Sequence, residues 1–264
     1  MTYCVAIATD DGLVFCSDSR TNAGADMLST YSKMHVYELQ ADRIIVLLSS
    51  GNLATTQAVI HQLDADIESE SDTSLYTCKK MTDVAKYVGR VSREQQENAD
   101  DSTGNSDINV SASFIVGGQI EGCDPALSLI YSVGNYISVS EETPYLQIGE
   151  SKYGKPILDR IIHSNTSLDD AARCALVSMD STIRANATVG PPIEVLVYEK
   201  NSLESDHYIK LSAEDPYLLQ LHKDWNDALN TAFKELPTFD WERRSVPTTL
   251  RAIAGSAETK LDRQ

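Results

Sequence analysis

Two apolar runs, residues 3–9 and 13–17, open the chain with Asp10-Asp11-Gly12 between them, a pattern that predicts a β-hairpin at the very start. Small and polar residues from 21 to 29 predict a loop, and strand-like segments follow at 33–39 and 43–48. Gly51-Asn52 then punctuates the pattern, and beyond it the period changes. Leu53, Val59, Ile60, Leu63 and Ile67 fall at helical spacing across residues 53–68, and Val84, Val88 and Val91 do the same across 81–96. The polar stretch 97–107 predicts an exposed loop. Strand character returns at 110–116, ahead of Gly117-Gly118, and at 127–133.

The second half repeats the order. Helices are predicted over 154–163 and 168–183, the latter opened by Ser167 with Asp169 and Asp170 behind it, a capping residue followed by first-turn acids. Pro191-Pro192 stops that helix, and strands follow at 193–198 and 207–211. Leu218, Leu219, Leu221, Trp225, Leu229 and Phe233 give residues 216–236 the stripe of a long amphipathic helix, and the polar stretch 237–264 is expected to be loosely ordered. Two helices in succession after each set of strands do not fit simple βαβ alternation. They predict an α+β chain layered as a sandwich, helices outside two sheets, with a main domain over 2–213 and a C-terminal helical extension over 214–264.

Composition narrows the function more by exclusion than by assignment. A chain of 264 residues, 42% hydrophobic and 23% charged, has the makeup of a soluble globular protein. No basic leader with an apolar stretch opens it, and no apolar run approaches the ~20 residues that span a bilayer, so a cytoplasmic protein without a membrane partner is expected. The net charge of −17 argues against a nucleic-acid partner. Five cysteines, scattered and never in a Cys-x-x-Cys pair, argue against a disulfide framework and a zinc site. The five histidines are dispersed, and no phosphate-binding Gly-x-x-x-x-Gly-Lys occurs, so neither metal nor cofactor is implied.

The chemistry begins at Thr2. If Met1 is removed, as a small second residue favours, Thr2 carries a hydroxyl nucleophile and a free α-amine on one residue. An α-amine titrates near ~7.7–8.0 and so accepts the hydroxyl's proton at neutral pH. Three further positions line up behind it: Asp18 in Ser17-Asp18-Ser19-Arg20 at a strand's mouth, Lys33 opening another strand, and Gly51 where a strand hands over to a helix. Each alone has a plainer role, as a turn acid, a solvated lysine or a turning glycine. Arg20 is expected to tie down its strand end through an ion pair.

Together, and in this order, these residues resemble the active β-subunits of proteasome-type proteases in the N-terminal nucleophile hydrolase superfamily. The opening Met-Thr-Tyr-Cys-Val, the run Ser-Asp-Ser-Arg-Thr-Asn-Ala-Gly at 17–24, and Gly51-Asn52-Leu53-Ala54-Thr55-Thr56-Gln57 are most like the bacterial branch called Anbu, the ancestral β-subunit. The resemblance spans about residues 2–211 and implies a four-layer αββα sandwich. It implies Thr2 as nucleophile, with Lys33 as an ammonium beside it, Asp18 orienting that lysine, and the Gly51 amide as oxyanion donor. It also implies a peptide or unfolded-protein substrate and self-association into a ring or spiral, leaving open an unfoldase that feeds it. The pattern departs from the family late in the chain: Glu150 follows Gly149 where a serine is usual, and Asn186, Thr188 and Gly190 stand where an Asp…Ser-Gly pair is usual. Ser151, Asn186 and Thr188 are therefore candidate supports for the amine. Two competing expectations are an N-terminal nucleophile amidase or acylase acting on a small amide, and a silent structural subunit that keeps only the fold.

Overall fold

The structure, a computed structural model, describes residues 2–22, 28–39, 41–103, 108–205 and 207–239. In chain order its strands are β1 (Tyr3–Thr9), β2 (Gly12–Asp18), β3 (Arg20–Asn22), β4 (Leu28–Thr30), β5 (Met34–Leu39) and β6 (Arg43–Gly51), followed by helices α1 (Leu53–Glu68) and α2 (Met81–Thr103). Next come β7 (Ala112–Ile120), β8 (Ala126–Ile130), β9 (Tyr136–Ser138) and β10 (Tyr145–Gly149), helices α3 (Lys155–Ile161) and α4 (Leu168–Ala185), then β11 (Ile193–Glu199), β12 (His207–Leu211) and α5 (Pro216–Lys234).

Two antiparallel five-stranded sheets, ordered β10-β1-β2-β11-β12 and β5-β6-β7-β8-β9, form the middle of the fold. Side chains alternate across a strand, and here both faces of each sheet are covered. Cys4, Ala6, Leu13 and Phe15 of the first sheet meet Ile44, Val46, Leu48 and Ile115 of the second in one buried cluster. Their neighbours in sequence, Tyr3, Val5, Ile7, Val14 and Cys16, face the opposite way and pack with Leu158 of α3 and Cys174, Ala175 and Met179 of α4. Likewise Ile45, Leu47, Phe114 and Val116 pack with Val59 and Leu63 of α1 and Val84 and Val88 of α2. The result is the αββα sandwich that the sequence implied. Burial on both faces explains why the strands read as continuous apolar runs rather than as alternating ones.

Several boundaries differ from expectation, each for a local reason. The stretch 97–107 was expected to be a loop, yet α2 continues to Thr103. The i,i+4 pairs Arg90–Glu94 and Arg93–Glu97 support the exposed face of the turns leading into that stretch. Strand β7 runs on through Gly117 and Gly118 to Ile120, because β6 and β8 pair with both glycines. The short strands β3, β4, β9 and β10, at three to five residues each, carry too little periodic signal to announce themselves. The segment between β2 and β5 holds β3 and β4 paired with each other, while residues 23–27 of the expected loop lie outside the described residues. From residue 240 on, the expected tail does too.

The chain divides into two compact units, one up to His222 and one from Lys223. In the first, Leu218 and Leu221 of α5 pack against the cluster beneath α3 and α4, although no residue of α5 is fully buried. Among the described residues no helix is long and apolar enough to cross a membrane.

Candidate active site

The β1–β2 hairpin sets the first element of the site. Cys4 pairs with Ser17 across the hairpin, which brings Tyr3 level with Asp18 at the end of the ladder. On the other side Tyr3 pairs with Gly149 of β10. Thr2 is thereby held at one end of the sheet between two neighbouring strands, and its carbonyl accepts the Glu150 N–H at 2.7 Å.

Asp18 is fully buried and its carboxylate is saturated by donors. Oδ1 accepts the backbone N–H of Tyr3 at 3.0 Å and the Lys33 ammonium at 2.6 Å, while Oδ2 accepts the Gly190 N–H at 3.2 Å. One oxygen thus ties the residue after Thr2 to the lysine. Lys33 is 7% exposed, and its Nζ also donates to the Arg20 carbonyl at 2.7 Å. Its backbone is held as well, since the Ser49 N–H donates to its carbonyl at 2.9 Å. Lys33 lies just before β5 rather than inside it: its backbone stays beside β6 while its side chain reaches across to Asp18 of the first sheet. Burial pushes the Asp18 carboxyl above the ordinary range; the ammonium and the two amides pull it back down without cancelling that cost.

Gly51 closes β6 with φ at +119°, and a Cβ there would stand 2.3 Å from the Ser111 carbonyl oxygen. Only glycine fits such a turn, which passes the chain directly to Asn52, the N-cap of α1, whose side chain accepts the Thr55 N–H. The positive end of the α1 dipole therefore sits beside Gly51, where negative charge is favoured.

Thr2, Lys33 and Gly51 all line one cleft of about 720 Å³. Asp18 lies buried behind it. The arrangement gathers a hydroxyl, a buried ammonium and a helix-end amide around one space, which is what attack on a carbonyl and stabilisation of the resulting oxyanion require. The two buried thiols nearby, Cys4 and Cys16, are pushed up by burial and remain protonated, so they do not compete as nucleophiles.

The later residues gather differently. Ser151 is exposed and does not line the cleft. Asn186 and Thr188 form a cluster of their own, with the Thr188 hydroxyl donating to Asn186 Oδ1 at 2.6 Å and Asn186 Nδ2 donating to Glu150 Oε2 at 3.3 Å. Among the described residues they approach Thr2 through Glu150, whose N–H donates to the Thr2 carbonyl. Arg20 corrects an expectation: its guanidinium donates to the carbonyls of Ala187 and Val189, at 2.8 and 3.5 Å, and not to a carboxylate. The loop carrying those carbonyls wraps around it and leaves no acid within reach among the described residues.

Sequence reasoning missed two supporting residues. Glu194 is buried and accepts the Ser32 hydroxyl at 2.6 Å, fixing the residue before Lys33; within an apolar strand it carried no signal beyond its charge. Gly149, at φ +81°, would place a Cβ 2.0 Å from the Thr2 carbonyl oxygen. Gly149→Ala is expected to cost about 2 kcal/mol through backbone strain and displaced packing, lowering the melting temperature by roughly 4–8 °C. Thermal unfolding followed by circular dichroism checks this, and an unchanged midpoint would refute the close approach.

Among the described residues no group of three or more His, Cys, Asp or Glu side chains is placed to hold a metal ion.

Comparison with known proteins agrees with this geometry. The family model for proteasome subunits matches residues 2–198. The proteasome subunit beta of Haloquadratum walsbyi is 23% identical over 203 residues, covering 77% of this chain and 75% of that one. Anbu (ancestral beta-subunit) from Yersinia bercovieri superposes with a TM-score of 0.85 at 41% identity, covering 90% of this chain and 99% of that one. A structure described as the helical assembly of the Anbu complex from Pseudomonas aeruginosa gives a TM-score of 0.85 at 44% identity, covering 90% and 98%. With a hairpin, a buried Asp–Lys pair and a strand-to-helix glycine arranged around the second residue, and with relatives this similar over nearly its whole length, the chain belongs to the proteasome subunit family and, within it, to the Anbu branch.

Proposed function

We propose that this chain is a threonine peptidase subunit that hydrolyses peptide bonds with Thr2 as nucleophile once Thr2 is the first residue. The observation that supports the reading is the shared oxygen of Asp18, which accepts both the Tyr3 N–H and the Lys33 ammonium and so ties that cation to the strand that begins next to Thr2, in the cleft both residues line. Thr2 Oγ1 attacks the amide carbonyl, and the α-amine of the same residue takes its proton, directly or through a water. The Lys33 ammonium lowers the cost of developing alkoxide character. The Gly51 N–H donates to the tetrahedral oxyanion, supported by the α1 dipole. Collapse expels the amine of the leaving peptide, protonated by the Thr2 ammonium. The ester left on Thr2 is then hydrolysed by water that the freed α-amine deprotonates. Through Glu150, Asn186 and Thr188 help set the position of the amino terminus.

In this reading residues 2–213 form the hydrolase domain and 214–264 an extension, and the protein works in the cytoplasm. The subunits associate into a ring or spiral, which is supported by the helical assembly described for the Pseudomonas aeruginosa relative. The direct test offers an unfolded protein and short fluorogenic peptide amides to the full-length protein and identifies products by mass spectrometry. Cleaved peptides support the reading. Hydrolysis confined to small non-peptide amides would replace it with an amidase, and no product at all would leave a structural subunit.

Two expected outcomes follow from the chemistry. Intact-mass spectrometry should find the chain without Met1, since a blocked amine cannot accept the proton. The pH profile of kcat/KM should rise through two limbs, one near the amine's range of ~7.7–8.0 and one more acidic. The acidic limb reports Asp18, which burial lifts above the usual carboxylate range, and lies correspondingly higher. Its sign differs from ordinary acid unfolding. Between the unfolded and the raised folded pKa the native state binds the extra proton, so acidification through that window favours the fold while it releases Lys33 from its counter-charge. Activity should fall there before the protein unfolds; simultaneous loss of both would contradict the assignment.

A further inference from the structure

The cleft beside Thr2 differs in charge from the chain that builds it. Asp and Glu number 39 against 22 Lys and Arg. Among the described residues, nevertheless, no carboxylate side chain lines the cleft, whereas Arg20, Lys33, His35 and His61 do. Lys33 is already neutralised by Asp18 at 2.6 Å. Among the described residues Arg20 meets no carboxylate; it is held by two neutral carbonyls, so its charge faces whatever enters.

The two imidazoles extend this character along the walls. Leu53, Gln57, Ile60 and His61 follow the helical repeat and form one face of α1 along the cleft, with His61 exposed. His35 comes from β5 and is half-buried; burial pushes its pKa down, so its ring is neutral at pH 7 and offers an N–H. The acids that face His35 are Asp64 of α1 and Glu194 of β11. Both are engaged elsewhere: Asp64 accepts the Tyr37 hydroxyl at 2.9 Å, and Glu194 takes Lys210 at 2.9 Å and Ser32 at 2.6 Å.

We propose that the cleft selects peptides with an aspartate or glutamate on the acyl side of the scissile amide, the carboxylate drawn to Arg20, His35 and His61. An anionic side chain entering here meets an uncompensated guanidinium and N–H donors, the partners that form charge-assisted hydrogen bonds. A lysine or arginine side chain meets like charge with no acid to receive it, so the same wall that attracts one class rejects the other. This selectivity rests on reading Thr2 as the nucleophile of the neighbouring site.

The test uses the full-length protein and fluorogenic peptides that differ only in having Glu, Leu or Lys on the acyl side, together with binding of the same peptides to the inactive Thr2→Ala variant. The Glu peptide is expected to exceed both others by about tenfold in kcat/KM and in affinity at low salt, the gap narrowing as salt screens it. The exposed His61→Glu replacement is expected to shrink the Glu-over-Leu ratio severalfold. Equal or better cleavage of Leu or Lys peptides would overturn the selectivity and leave the nucleophile standing. If no peptide is cleaved while Thr2→Ala still binds the Glu peptide preferentially, the selectivity stands and the nucleophile assignment fails. Equal binding of all three peptides would overturn the proposal outright.

Discussion

Thr2→Ala is expected to abolish peptide hydrolysis, by at least about 10⁴-fold in kcat, with no change in melting temperature. In the proposed mechanism nucleophile and base sit on the same residue, so removing the hydroxyl leaves the amine with nothing to activate except water. The fold should not notice. Thr2 is anchored through its backbone, by the Glu150 N–H on its carbonyl and by the Tyr3–Gly149 pairing that follows, and alanine keeps every one of those bonds. Thr2→Ser restores a hydroxyl and should recover hydrolysis. Steady-state kinetics on one peptide amide, with thermal unfolding of each variant, reads both halves. Full activity in Thr2→Ala would place the nucleophile elsewhere.

The second large effect concerns the buried pair. Asp18→Asn should cut kcat by about 10³-fold, because Lys33 then loses the anchor that holds its charge beside the nucleophile. It should also destabilise the protein by about 1–3 kcal/mol, since the asparagine NH2 would face buried donors that the carboxylate accepts. Stability and activity separate in the double variant Asp18→Asn with Lys33→Met. Removing the ammonium takes away one of those donors, so part of the lost stability should return while hydrolysis stays low. Chemical denaturation and kinetics on the three variants decide it. Recovery of activity in the double variant would show that the pair serves the fold alone.

How much of this was legible beforehand depended on what each residue needed. The hairpin was readable because Asp-Gly between two apolar runs has few other solutions, and it placed Asp18 at the strand end where the structure has it. α4 was readable from its cap, Ser167, whose hydroxyl accepts the Asp170 N–H. Gly51 stood out because a glycine between a strand and an Asn-capped helix suggests a special φ. Short strands such as β9 and β10 were not readable, since three to five residues carry little periodic signal and the partner of β10, β1, lies far away in sequence. β10 mattered most among these, because its last residue, Gly149, packs on the Thr2 carbonyl. Arg20 was read as an ion-pairing residue, as arginines near acids usually are; its real partners are backbone carbonyls some 167 residues on, which no local pattern reveals. Glu194 was invisible for the same reason. A buried acid inside an apolar strand shows its purpose only when the loop holding Ser32 has been folded over it.

The most direct measurement is covalent labelling of the native protein by an epoxyketone or β-lactone electrophile, followed by tryptic mass spectrometry. Trypsin releases the amino-terminal peptide by cutting after Arg20, the first basic residue of the chain. The expected result is one adduct on that peptide, beginning at Thr2 with Met1 absent, and no adduct in Thr2→Ala. A peptide that retains Met1 and carries no label, or equal labelling of wild type and Thr2→Ala, would contradict a catalytic amino-terminal threonine.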